Sequence, residues 1–124
     1  MTTLTDYARD ILARAIAARG PVLPTQVFAG LGTGGTASVG LTGEPTGSGY
    51  ARQRVTFAGT GVQSNAELVR FVFTAAAGTL THVGLFDASS GGNPLAFVAL
   101  PQAAAMTGPG TVTVGVGDLT LSAG

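Results

Sequence analysis

The chain has 124 residues, enough for one domain with its own core, and it contains no cysteine, which excludes disulfides and thiolate metal sites. Its basic residues are all arginines and are balanced by acids to a formal net charge of zero. Such a balanced, dispersed set argues against nucleic acid as a partner, because phosphate binding requires a basic excess on one face.

The surface of the protein must be short of charge. Charged residues make up 10% of the chain, against about 25% in an average soluble domain, and glycine contributes 20 residues. A chain without net charge and with few ionic groups is poorly protected against association. We therefore expect much of its surface to be covered in an assembly.

The sequence predicts neither a membrane partner nor a secretion signal. No apolar run approaches the ~20 residues of a membrane-spanning helix. Asp6, Arg9 and Asp10 lie among the apolar residues of the N-terminal segment, a pattern that does not fit a signal peptide. We expect synthesis in the cytoplasm.

Residues 3–19 are predicted to form a helix, because apolar residues recur there at spacings of three and four. Thr3 is the expected N-cap, and Gly20 with Pro21 is expected to end the helix. The apolar stripe is narrow and rich in alanine. It can pack on the rest of the fold, on a neighbouring subunit, or on both.

Residues 25–31 read as a short strand and are followed by a low-complexity segment, residues 32–49, whose only acid is Glu44. This segment exceeds the ~12–15 residues of most unstructured connections. We expect it to be ordered by a partner, or to contain a short strand around residues 38–41.

The rest of the chain is predicted to be a series of short strands joined by polar turns. The strands are expected at residues 50–57, 68–73, 80–86, 95–100, 111–116 and 119–121, with a loop at residues 103–110. Residues 80–86 and 95–100 form a hairpin around a Ser, Gly, Asn and Pro turn. The pattern indicates a mainly β fold, an antiparallel jelly-roll-like β-sandwich over residues 25–121 with one N-terminal α-helix, and residues 1–124 as a single domain.

Residues 30–35 match the G-x-G-x-x-G fingerprint of dinucleotide-binding loops. That fingerprint needs a helix at the third glycine, so that free backbone N–H groups meet the pyrophosphate. Residues 36–49 instead contain four more glycines and a proline. We interpret this match as a chance one, which arises easily in a chain so rich in glycine.

His82, the single histidine, lies in a predicted strand near Asp87, Ser89 and Ser90. These residues share one strand and its turn, so no second element supplies catalytic geometry. Calcium requires about six to eight ligands, and this turn offers one carboxylate with Asn93 beside it, so we expect Asp87 to bond its own turn. No catalytic residue, cofactor or metal site is predicted.

Arginine and tyrosine are favoured at protein interfaces, and Tyr50, Arg52 and Arg54 share one face of the predicted strand 50–57. Arg52 and Arg54 can also share a sheet face with Arg70, and the candidate partners of these arginines are Glu67, Glu44 or acids of another chain. The predicted interface residues combine this face with the helix stripe and the loop: Leu4, Ile11, Arg14, Leu31, Glu44, Tyr50, Arg52 and Arg54.

Several segments resemble small virion proteins of tailed bacteriophages, which are commonly described as tail fibre, tail or capsid decoration (cement) proteins. The segments are GYARQRVTF at 49–57, SN at 64–65, Phe71, THVGLFD at 81–87, GGNPL at 91–95 and VGDLTL at 116–121. The resemblance covers nearly the whole chain and supplies no enzymatic residues.

The resemblance and the shortage of charge lead to the hypothesis of a capsid decoration protein. Such a protein would be a homotrimer on the outer surface of the head, bound to the major capsid protein, made in the host cytoplasm, without nucleic-acid or membrane partners. It would stabilise the mature shell by binding it better than the precursor.

Three other functions are open. The nearest is a tail or fibre-attachment component of the virion. A carbohydrate-binding module is disfavoured because the chain has no tryptophan and only Tyr7 and Tyr50 as tyrosines. An enzyme is the weakest, for lack of a convergent polar cluster.

Overall fold

The computed structural model describes residues 2–122, so the outermost residues of the predicted domain 1–124 lie outside it. In chain order the elements are β1 (Thr3–Leu4), α1 (Asp6–Ile16), β2 (Val27–Gly32), β3 (Gly34–Thr36), β4 (Gly40–Thr42), β5 (Gln53–Val55), β6 (Phe57–Ala58), β7 (Gln63–Asn65), β8 (Val69–Phe73), β9 (Gly78–Phe86), β10 (Pro94–Met106), β11 (Gly110–Val114) and β12 (Thr120–Leu121). The prediction of a mainly β chain with one N-terminal helix is confirmed for the described residues.

The largest sheet has the strand order β1-β10-β9-β2-β5, and every neighbouring pair in it is antiparallel. The predicted hairpin, β9 with β10, lies at its centre, with Val83 opposite Val98. The Asp87 N–H donates to the Asn93 carbonyl at 3.2 Å and closes the turn. The sequence therefore identified the central hairpin of the fold.

Two smaller sheets, β11-β8 and β12-β7-β6, contribute side chains to the same core as the large sheet. Strand β8 alternates strictly, with Phe71 and Phe73 buried and Arg70 pointing outward, as expected of a strand that covers a core with one face. Leu85 of β9 and Leu119 before β12 lie in the same cluster. These antiparallel layers are compatible with the predicted β-sandwich.

The helix is shorter than predicted. Thr3 and Leu4 pair with Phe97 and Ala96 of β10, so they form a strand and not the first turn of α1. Thr5, and not Thr3, is the N-cap, and its hydroxyl accepts a hydrogen bond from the backbone N–H of Ala8 at 3.2 Å. Pairing with the sheet overrides the helical spacing here. In the described part of the chain, no helix is long and apolar enough to cross a membrane.

The glycine-rich segment 32–49 is not an open loop. It contains the hairpin β3–β4, as the alternative of a short strand anticipated, and the hairpin lies on the large sheet. Glycines of that sheet make room for it: a Cβ added to Gly84 would lie 2.4 Å from the Leu41 Cβ, and one added to Gly32 would lie 2.4 Å from the Thr42 carbonyl oxygen. The segment is thus ordered by its own sheet.

The predicted strand 50–57 is broken in the structure. Residues 53–55 pair with β2, whereas residues 57–58 pair with β7, a strand that the sequence analysis missed. The chain changes sheets at Thr56, whose carbonyl accepts a hydrogen bond from the Ala66 N–H. Strict alternation in the sequence does not reveal such a crossing, because both halves keep the same period.

The predicted loop at 103–110 was also wrong in its first half. Strand β10 continues to Met106, and Ala104 pairs with Leu80 after an irregular bulge at residues 100–103. Pro101 lies in that bulge, where the strand pairing needs no hydrogen bond from the backbone N–H that proline lacks. Strand β11 ends at Val114, so Val116, which was predicted to belong to the strand 111–116, lies outside it and is exposed.

Candidate functional site

The chemically suggestive residues of the hairpin are engaged in local structure. The Thr81 hydroxyl and His82 Nδ1 are hydrogen-bonded at 2.8 Å, and the Asp87 carboxylate accepts from the backbone N–H and side-chain amide of Asn93 at 2.7 and 2.9 Å. Asp87 therefore closes its own turn, as expected. No group of three or more possible metal-binding side chains occurs in residues 2–122.

The G-x-G-x-x-G pattern forms antiparallel strands and not a phosphate loop. Gly30 and Gly32 belong to β2, and Gly34 and Gly35 belong to β3. Strand β4 follows, so no helix begins at the third glycine, as the fingerprint requires.

Three predicted interface residues, Glu44, Tyr50 and Arg52, come together within one chain and form what we call the carboxylate network. The Tyr50 hydroxyl donates to Glu44 Oε2 at 2.5 Å. Arg52 binds the same carboxylate with two nitrogens, Nε to Oε2 at 3.0 Å and Nη2 to Oε1 at 2.7 Å. This bidentate geometry is the strongest form of an arginine–carboxylate pair.

The tyrosine of the network is anchored in the core. Its ring stacks on Phe71 and Phe73, with centroids 6.3 and 6.0 Å away. Its hydroxyl accepts a hydrogen bond from the Leu31 N–H at 3.0 Å. A Cβ on Gly30 would lie 2.6 Å from that hydroxyl, so glycine is required there for the tyrosine to reach. The ring is thus packed against the core and is not an open platform for a sugar.

The arginine of the network reaches the central hairpin turn. Its Nη1 donates to the carbonyls of Ala88 at 3.0 Å and Gly91 at 2.8 Å, and its guanidinium carbon lies 3.5 Å from the centroid of the Phe86 ring. With the two bonds to Glu44, four of its five N–H donors are used. The network therefore clamps the glycine-rich segment to the turn and leaves little capacity for a ligand.

The charges of the network stabilise one another. Burial alone would raise the pKa of the Glu44 carboxyl, but hydrogen bonds from Arg52 and Tyr50 outweigh it and hold that pKa below its ordinary value. The hydrogen bond to Glu44 raises the pKa of Arg52. Burial and then the bond to Glu44 raise the pKa of Tyr50 far above its ordinary value.

The lowered pKa of Glu44 predicts a loss of stability in acid. A carboxyl whose pKa is lower folded than unfolded contributes stability that is complete above its unfolded pKa, about 4.3, and is lost as the pH falls through its folded pKa. We expect the free energy of unfolding to fall below about pH 4.3, and to fall less steeply in Glu44→Gln. Urea titrations of both proteins from pH 7 to pH 3 measure this. Equal slopes would contradict it. Glu67→Gln is the control, because Glu67 is exposed and its carboxylate has no ion-pair partner among residues 2–122.

The other predicted interface residues are dispersed. Leu31 and Ile11 are buried in this chain, and Leu4 is half-buried in β1. Arg14 pairs with Asp10 at 2.9 Å on the helix surface, and Arg54 lies exposed on β5. An interface role for the set stays a prediction.

A segment that the sequence analysis did not single out is the most exposed apolar feature of the described chain. From Ile16 to Gln26 every residue except the half-buried Pro21 is exposed, and we call residues 16–26 the projecting segment. Ile16 is 90% exposed, Val22 88% and Leu23 52%. The signal in the sequence was two apolar residues between Pro21 and Pro24, where neither a helix nor a ladder can bury them.

A second apolar feature is a cavity of about 500 Å³ where the bulge of β10 faces β11 and residues 118–120; we call it the sandwich cavity. Buried Val83, Val114 and Leu119 line it together with half-buried Leu100, and among residues 2–122 Asp118 is the one charged residue of the lining. This volume falls within the ~300–1,000 Å³ of typical binding pockets.

Comparison with known proteins gives one family. The family model described as Podophage GP4 fiber I protein gp80 matches residues 3–122. A search of the curated proteins found no match. Because the family model covers almost the entire chain, the chain belongs to this family and is a phage virion structural protein.

Proposed function

We propose that this member of the podophage fiber family is a non-enzymatic structural component of the phage tail, built into a fibre or attached to one. The match over residues 3–122 carries the proposal, because the family description names a fiber protein. That description lends no support to a position on the head. Capsid decoration, the function first expected from the resemblance, and binding to the major capsid protein therefore give way to the tail alternative.

The state of the polar side chains supports a structural role. Arg52 and Glu44 bond each other, and Asp87 bonds its turn. His82 bonds the neighbouring Thr81. A fibre component needs rigid folding and contacts with other subunits, which this network and the low content of charge serve. A homotrimer remains part of the proposal.

Fab labelling of intact virions tests the location. Fab fragments raised against the purified chain, imaged on the particles by cryo-electron microscopy, are expected to give added density at the tail only. Fab absorbed beforehand with purified chain is the control. Density distributed over the faces of the head would contradict a role in the tail fibre and would support capsid decoration.

A further inference from the structure

We infer that copies of this chain dock head to tail: the projecting segment of one copy enters the sandwich cavity of the next. The occupant to which we commit is therefore a second copy. The inference goes beyond the proposed function and does not depend on where the protein lies in the virion.

The first support is apolar complementarity between two features that are both unpartnered. Ile16 and Val22 are 90% and 88% exposed, an unfavourable state for large aliphatic side chains close together in sequence. The sandwich cavity offers an apolar floor that includes Val83 and Leu119, and its volume of about 500 Å³ can take aliphatic side chains. Burial of one feature in the other would remove both from water.

The second support is charge. The projecting segment contains no acid and one charged residue, Arg19. The one charged residue that the described part of the chain contributes to the cavity lining is Asp118. Arg19 and Asp118 are both exposed, and neither has an ion-pair partner among residues 2–122. In the proposed contact Arg19 of one copy would meet Asp118 of the next, and the net charge of zero adds no repulsion between copies.

Within one chain the projecting segment and the sandwich cavity do not meet, so the proposed contact joins two copies. No residue from 12 to 26 lines the sandwich cavity, so the segment does not fill the cavity of its own chain. A contact between two different surfaces is heterologous, which generates closed rings or open filaments and not isolated twofold dimers. The angle at which one copy docks on the next therefore decides whether a ring closes and how many copies it contains.

Single variants and their mixture test the docking. Val22→Asp places a charge in the projecting segment and leaves the cavity intact. Asp118→Arg reverses the charge at the cavity rim and leaves the projecting segment intact. Each is expected to weaken self-association at least about tenfold, which sedimentation velocity measures. Val62→Asp, at an exposed valine outside both features, is the matched control and should assemble like the wild type.

Mixing distinguishes a heterologous contact from any other. An equimolar mixture of Val22→Asp and Asp118→Arg is expected to form a heterodimer and nothing larger, because only one intact segment and one intact cavity rim remain to pair. The exchange Arg19→Asp with Asp118→Arg in one chain is expected to restore assembly. All substituted positions are exposed, and circular dichroism verifies that the variants fold.

A wild-type chain that stays monomeric at its highest soluble concentration, variants that assemble like the wild type, or a mixture without heterodimer would each overturn the inference. None of these results affects the proposed location, because Fab labelling reads the position of the protein without reference to contacts between copies.

Discussion

Replacement of Arg52 by methionine is expected to destabilise the fold by about 2–4 kcal/mol. The change leaves Glu44 as a partly buried carboxylate without its cation, and it removes the donors to the Ala88 and Gly91 carbonyls. Loss of one partner from a fully buried pair costs about 3–5 kcal/mol. We expect somewhat less, because the Glu44 side chain is 24% exposed. Urea denaturation at pH 7 measures the change.

The chain contains its own control for this prediction. Arg14 pairs with Asp10 at 2.9 Å, but the two side chains are 43% and 62% exposed, so Arg14→Met should cost no more than about 1 kcal/mol. The double variant Glu44→Gln with Arg52→Met should be less destabilised than the sum of its single changes, because it leaves no orphan charge. Equal losses for Arg52→Met and Arg14→Met would refute a clamp at Arg52.

The carboxylate network shows how far the sequence could lead. Tyr50, Arg52 and Glu44 could be selected as candidates because Tyr and Arg favour interfaces and Glu44 is the only acid nearby. The sequence left open which acid Arg52 meets, and it could not reveal that Arg52 also binds backbone carbonyls of the central hairpin turn. That depends on the fold bringing the turn at 88–91 to Arg52, a pairing with no local signature.

The fold was predictable where a local period coincides with tertiary pairing. Strands β8 and β9 and the central hairpin follow their patterns. The prediction of strands failed where pairing between residues distant in sequence determines which segments are strands. Asn65 illustrates this: its buried side chain donates to the Glu67 and Gly115 carbonyls and accepts from the Leu119 N–H, which fixes β7 beside β12. Nothing adjacent to Asn65 in sequence indicates Gly115 and Leu119, which lie 50 and 54 residues away.

The structural roles of the glycines in segment 32–49 and in β9 likewise could not be predicted from their number. The glycine content of residues 32–49 indicated only a low-complexity segment, but several of these glycines permit close contact between a hairpin and a sheet. A Cβ on Gly35 would lie 2.5 Å from the Phe97 ring, just as one on Gly84 would meet Leu41. Such contacts are invisible in composition, because a glycine required for space and one required for a turn are the same letter.

These contacts predict large effects from one added methyl group. Gly84→Ala is expected to destabilise the protein by about 1–3 kcal/mol, since the new Cβ would lie 2.4 Å from the Leu41 Cβ, an atom fixed to the backbone of β4. Gly32→Ala should cost at least as much, because its Cβ would meet the Thr42 carbonyl oxygen. Urea denaturation gives the loss of stability, and hydrogen exchange should show faster exchange in residues 34–42.

Gly108→Ala is the matched control, since a Cβ there meets nothing within 4 Å, and it should change stability by less than about 1 kcal/mol. Combining Gly32→Ala with Gly84→Ala separates a shared mechanism from two local ones. If both changes act by displacing the β3–β4 hairpin, the second finds it already displaced, so the double variant should lose less stability than the sum of the two. Strict additivity, or unchanged exchange in residues 34–42, would contradict a hairpin held in place by these glycines.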